Sequence, residues 1–198
     1  IFGAFGHLNT AKRAPQLVEA FALVVEQEPT AKLLLVGSAS EEIHIDARLA
    51  EIEQAHPGSV IRLPYVDEDR LWNLIAGCDV CVCLRYPTMG ETSGIAIRAL
   101  VCGRPLIVSD VGWFSELSDD VAVRVPVGDE EVGRLGEAML ALAGDAARSE
   151  AMSAAAFGLV ESDLDLLRIA RGYRTAIIAA TGGAAVAGAV AFDIATAP

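Results

Sequence analysis

The sequence predicts an α/β fold: a doubly wound parallel sheet of about six strands with a helical C-terminal end. Three observations carry this. Short apolar runs alternate with helix-period segments along most of the 198 residues. Those runs are too uniformly apolar to present a wet face, as expected of parallel strands covered on both sides. From Asp129 onward the pattern is helical throughout. Hydrophobic residues make up 53% of the chain, which suits a packed core and excludes disorder.

"IFGAF" is the first strand, followed by the loop "GHLNTAKRA" and a helix from Pro15 to Glu28. In that helix Leu17, Phe21, Val24 and Val25 share one face, and Pro15 suits its first turn. "KLLLVG" (32–37) is a buried strand, and a helix from Glu42 to Ala55 closes at His56-Pro57-Gly58. "VIRLPYV" (60–66) is the third strand. "DEDRLWNLIAGC" then has an acidic first turn and an apolar face of Leu71, Trp72, Leu74 and Ile75. "DVCVCL" (79–84) is the fourth strand, and a glycine-bearing loop leads into a helix from Ser93 to Val101. "PLIVSD" (105–110) and "VAVRVP" (121–126) are strands separated by a helical turn at "WFSELS". One domain over 1–180 and an apolar Gly/Ala-rich tail over 181–198 are expected; the tail is broken by Asp193 and too glycine-rich for a span.

A net charge of −12 excludes a general nucleic-acid binder. Four cysteines in a chain of this size read as buried free thiols in a reducing cytoplasm, and residues 81 and 83 on one strand face lack zinc-knuckle geometry. No signal peptide is visible. Because the chain opens directly on a strand, it is expected to be one domain of a larger protein.

In open parallel sheets, ligands sit beyond the carboxyl ends of the strands at the point where strand order reverses. Gly6, His7, Lys12 and Arg13 follow the first strand, Pro64-Tyr65-Val66 end the third, and Arg85 to Gly94 follow the fourth. Basic residues gather in these loops of an acidic chain, beside a helix start at Thr92-Ser93-Gly94 whose unpaired N–H groups favour an anion. Taken singly, each feature also fits a capped helix start with surface ion pairs.

The segments "GAFGHLNTAKRAPQLVEAFALVVEQEPTAKLLLVGS", "VIRLPYVDEDRLWNLIAGCDVCV" and "GETSGIAIRALVCGRPLIVSDVGWFSEL" resemble the C-terminal, donor-binding domain of GT-B glycosyltransferases of the GT4, glycogen synthase-like type. The resemblance covers about residues 2 to 160, and the Rossmann-like fold it implies is the one read from periodicity. It implies a nucleotide-sugar substrate (UDP- or GDP-linked), retaining transfer of a hexosyl group, no required cofactor or metal, and a separate N-terminal acceptor-binding domain. It also implies a cytoplasmic protein at or near the inner membrane face.

Residue by residue, the resemblance places the glycine turn at Gly6, with His7 where the family has an arginine, and the phosphate-binding lysine at Lys12. The base-holding stretch falls at Tyr65 and Val66, and the diphosphate-binding helix start at Thr92, Ser93 and Gly94. Lys12 and Glu91 are the implied catalytic residues. The family spaces two glutamates with seven residues between them; here Glu91 stands one place late and the second position is Arg98. An arginine has donors only and cannot accept bonds from ribose hydroxyls. Two arrangements are open: Arg98 faces the ligand, or it pairs with Glu91. Likewise two functions are open: the donor half of a glycosyltransferase, or a non-catalytic nucleotide-binding or interaction module that kept the fold.

Overall fold

The computed structural model describes residues 1–162 and 164–181. Strands β1 (Phe2–Phe5), β2 (Leu33–Val36), β3 (Val60–Leu63), β4 (Val80–Cys83), β5 (Leu106–Ser109) and β6 (Ala122–Val125) pair in parallel throughout. Their order is β3-β2-β1-β4-β5-β6, as a doubly wound sheet requires, and the order reverses between β1 and β4. Helices α1 (Ala14–Gln27), α2 (Asp46–Ala55), α3 (Glu68–Ala76) and α4 (Gly94–Val101) connect the first five strands. A 3-10 turn, Gly112–Glu116, joins β5 to β6, and α5 (Glu131–Gly144), α6 (Ala146–Ser162) and α7 (Leu166–Ala180) complete the helical end.

The departures from the sequence reading are local. The third strand stops at Leu63 because Pro64 has no N–H for the ladder, so Tyr65 and Val66 lie in a loop. The helix read from Glu42 breaks into a 3-10 turn and α2, at His44 with φ 43°. Ile1–Gly158 form one compact unit, and the described residues from Leu159 onward belong to a second. Beyond Thr181 the expected tail lies outside the described residues. Among the described residues, no helix is long and apolar enough to cross a membrane.

In the sheet-bearing unit the core is built by face. Strands β1, β2, β4 and β5 are almost wholly buried, and α1 covers them with Leu17, Val18, Phe21, Val24 and Val25. Helix α5 packs on α1 and adds Leu135, Met139 and Leu142. Each such side chain contributes about 1.5–3 kcal/mol by leaving water. Cys78, Cys81 and Cys83 are buried in or beside β4, while Cys102 is half-buried. Burial pushes the Cys83 thiol up to about 12, and the bond that Cys81 donates to Cys78, with burial, raises Cys81 and lowers Cys78. Because Cys78, Cys81 and Cys83 are closed off from solvent, a disulfide-exchange reagent at pH 8 should modify Cys102 ahead of the other three in the native protein, and all four in denaturant. Three or four fast-reacting thiols in the native state would contradict this packing.

Candidate functional site

At the β1–β4 reversal the carboxyl ends of the two strands part and leave a cleft of about 250 Å³. Lys12, Arg85, Thr92, Ser93, Gly94, Ile95 and Arg98 bring polar groups to it, above an apolar floor that includes Phe5, Leu8, Val82 and Phe114. Two backbone contacts hold the loops around it. Tyr86 N–H donates to the Ala11 carbonyl at 2.7 Å, tying the β4 loop to the β1 loop, and Arg85 N–H donates to buried Ser109 Oγ at 2.9 Å.

Lys12 reaches the cleft from the turn before α1. Its N–H is held by Asn9 Oδ1 at 2.8 Å, and its ammonium donates to the Phe5 carbonyl at 2.9 Å. Gly6, at φ 93°, makes room for it: a Cβ there would stand 2.5 Å from Lys12 Nζ. Among the described residues no carboxylate pairs with Lys12. Burial, and then the nearby Arg85 charge, lower its pKa below the ordinary lysine value. Such a cation, partly desolvated and unpaired, is expensive unless an anion joins it.

Helix α4 points its first turn into the same cleft. Ser93 is the N-cap, in extended conformation, and its Oγ accepts from Ala96 N–H at 3.3 Å. Gly94 and Ile95, in the first turn at the positive end of the helix dipole, line the space that Lys12 borders. Lys12 and Thr92-Ser93-Gly94 thus line one cavity, and Arg98 lines it too.

The other expected site residues fall elsewhere. The His7 ring bonds Ser38 Oγ and Ser40 Oγ, both at 2.8 Å, and turns toward the loop after β2. Tyr65 is 86% exposed and Val66 half-buried, and neither lines the cleft. Glu91 lies at the exposed rim. It accepts from Met89 N–H at 2.8 Å and Thr88 Oγ1 at 3.1 Å, and pairs with Arg85 at 3.2 Å. Its own backbone N–H, then that of Met89, hold its carboxyl below the usual range. The Glu91–Arg98 pair, one of the two arrangements open from sequence, does not form. Arg98 Nη2 donates instead to Glu68 Oε1 at 3.0 Å, Nη1 to the Gly94 carbonyl at 3.3 Å, and the guanidinium lies 5.5 Å from the Trp72 ring centroid. Helix α3 brings those partners alongside α4, a neighbour that the loop sequence does not reveal.

Sequence reasoning also missed the ion pair beside the site. Arg13, at φ 55°, sends Nε to both Glu131 oxygens at 3.1 and 3.0 Å, and Nη2 joins the same carboxylate. Glu131 is 1% exposed at the start of α5. The pair anchors the residue after Lys12 to an element 118 positions away in the chain. Among the described residues, no cluster of three or more His, Cys, Asp or Glu is placed to hold a metal ion.

Comparison with known proteins agrees with this architecture. The family described as "Glycosyl transferases group 1" matches residues 1–145. An uncharacterized glycosyltransferase of Methanocaldococcus jannaschii is 30% identical over 113 residues, which is 57% of this chain and 27% of that protein. The C-terminal domain of LpcC, a glycosyl transferase group 1 family protein from Francisella tularensis, superposes with a TM-score of 0.70 at 17% identity, over 83% of this chain and 86% of that one. Anabaena HepE in complex with UDP-glucose gives 0.74 at 18%, over 90% of this chain and 48% of that one. This chain thus spans about a quarter of the curated relative and about half of HepE. By its family match over most of its length, the chain belongs to the group 1 glycosyl transferases, and its fold is that of their C-terminal domains.

Proposed function

We propose that the chain is the nucleotide-sugar donor-binding domain of a retaining glycosyltransferase that transfers a hexosyl group, with UDP- or GDP-sugar as donor. The observation that carries this is the convergence of Lys12, unpaired by any described carboxylate, and the first turn of α4 on one cleft at the sheet's switch point. A diphosphate fits that arrangement: the ammonium and the N–H groups stabilise charge as it builds on the leaving nucleoside diphosphate. The acceptor sits on a separate N-terminal domain, and closure of two domains over the donor completes the site.

A second reading, a nucleotide-binding module without catalysis, draws on one observation. Arg98 occupies the place of the expected ribose acceptor and pairs with Glu68. It predicts binding with no conversion of nucleotide sugar to free diphosphate. Calorimetric titration with UDP, GDP, uridine and guanosine tests the shared core of both readings. At least one diphosphate should bind tenfold or more tightly than its nucleoside, the scale of one charge-assisted hydrogen bond. Equal affinity for nucleoside and diphosphate, or no binding of any, would sink the diphosphate site.

A further inference from the structure

We propose that Arg98 is the specificity-determining residue of the cleft, and that it reads a second anionic group on the ligand, adjoining the diphosphate. This rests on the donor-site reading above and narrows it to a class of donors.

Arg98 lines the cleft beside Gly94 and Ile95. Its Nε–H is shut off from water and has no hydrogen-bond partner, a state that costs stability unless something relieves it. The contacts that hold the guanidinium are replaceable. Glu68 is 66% exposed, so that ion pair is screened and worth little. The bond to the Gly94 carbonyl is long at 3.3 Å, and the Trp72 ring gives only a cation–π contact at the edge of range. Turning toward a ligand would give up a weak surface pair and find a partner for Nε.

The charge inventory says what that partner is. Lys12, Arg85, Arg98 and the start of α4 supply positive charge, while the carboxylates beside them, Glu91 and Glu68, are exposed and each already holds an arginine. A neutral hydroxyl is a poor competitor with a carboxylate for a guanidinium. A phosphate or carboxylate in the less screened cleft can compete, because an arginine fork binds either one bidentately. The Arg98 side chain folds back along α4, as helical side chains do, so its guanidinium stands at the first turn beside the Gly94 carbonyl. An anion held by that guanidinium therefore adjoins the phosphate over Gly94, too close to be an unrelated site. It is either a phosphate on the nucleoside's ribose or the carboxylate of a uronic acid donor.

Two matched pairs of ligands separate these sources at fixed salt: UDP against uridine 5′-diphosphate 3′-phosphate, and UDP-glucose against UDP-glucuronate. In one pair the extra anion should tighten binding at least tenfold. Arg98→Gln should bring that ratio close to one, with Arg98→Lys recovering part of it. Glu68→Gln, which removes the competitor, should raise the ratio about two- to threefold, whereas a mere brace between α3 and α4 would show no gain. Ratios near one in both pairs, or a ratio that survives Arg98→Gln, overturn the proposal; if UDP still binds through Lys12, the donor-site reading stands. If UDP itself does not bind, both fall.

Discussion

Replacing Glu131 by Ala is expected to lower the unfolding free energy by about 3–5 kcal/mol, the cost of leaving one member of a buried ion pair without its partner. Glu131 is 1% exposed and the Arg13 side chain 19%, so water can replace the lost carboxylate only in part. Three guanidinium-to-carboxylate contacts disappear together. Arg13→Gly provides the complementary arm. Glycine tolerates φ 55° better than any side chain, yet the change leaves the Glu131 charge buried and unpaired, so it too should destabilise strongly. Combining Arg13→Gly with Glu131→Leu removes both charges and should recover much of the loss, because an apolar replacement avoids the desolvation penalty. Urea unfolding with an unchanged m-value measures each step. Losses below 1 kcal/mol for both single variants would show that this pair is solvated in solution.

That pair also marks the boundary of what sequence could tell. The sheet was legible because its strands are short apolar runs with helix-period segments between them, and that pattern follows from burial on both faces. The cleft was legible because chain reversal at the switch point fixes which loops meet, so Lys12 and Ser93 meet without any knowledge of side-chain contacts. Pairing across the sequence was not legible. "DEEVGRL" reads as a solvated acidic helix start, and nothing in it shows that Glu131 is buried while Glu130 is exposed. Arg98 was judged against Glu91, seven positions away, when its carboxylate stood thirty positions earlier on a neighbouring helix. Residue type limited what Arg98 could do; only packing decided which acid it found.

Lys12→Ala is expected to weaken UDP binding about 10- to 100-fold and uridine binding far less, since only the diphosphate meets the ammonium. The pH dependence makes this sharper. Burial, and secondarily Arg85, lower the Lys12 pKa in the free protein, so protonation there is disfavoured relative to the unfolded chain. The folded state thus releases the proton first as pH rises. Between its lowered pKa and the ordinary 10.5, the unfolded chain holds more protons, and stability contributed by this group increases with pH. Binding runs the opposite way: a diphosphate prefers the ammonium form, so UDP affinity should fall as pH rises through the lowered pKa, before 10.5 is reached. The complex should take up a fraction of a proton over the same range, because the bound anion draws the Lys12 pKa back up. Calorimetry of UDP binding from neutral pH up toward 10.5, in buffers of different ionisation enthalpy and beside Lys12→Ala, reads both effects. In Lys12→Ala the affinity should be low and should fall less with pH than in the unaltered protein, with the proton uptake due to Lys12 gone. Equal losses for UDP and uridine, or matching pH profiles in the two proteins, would remove Lys12 from the diphosphate site.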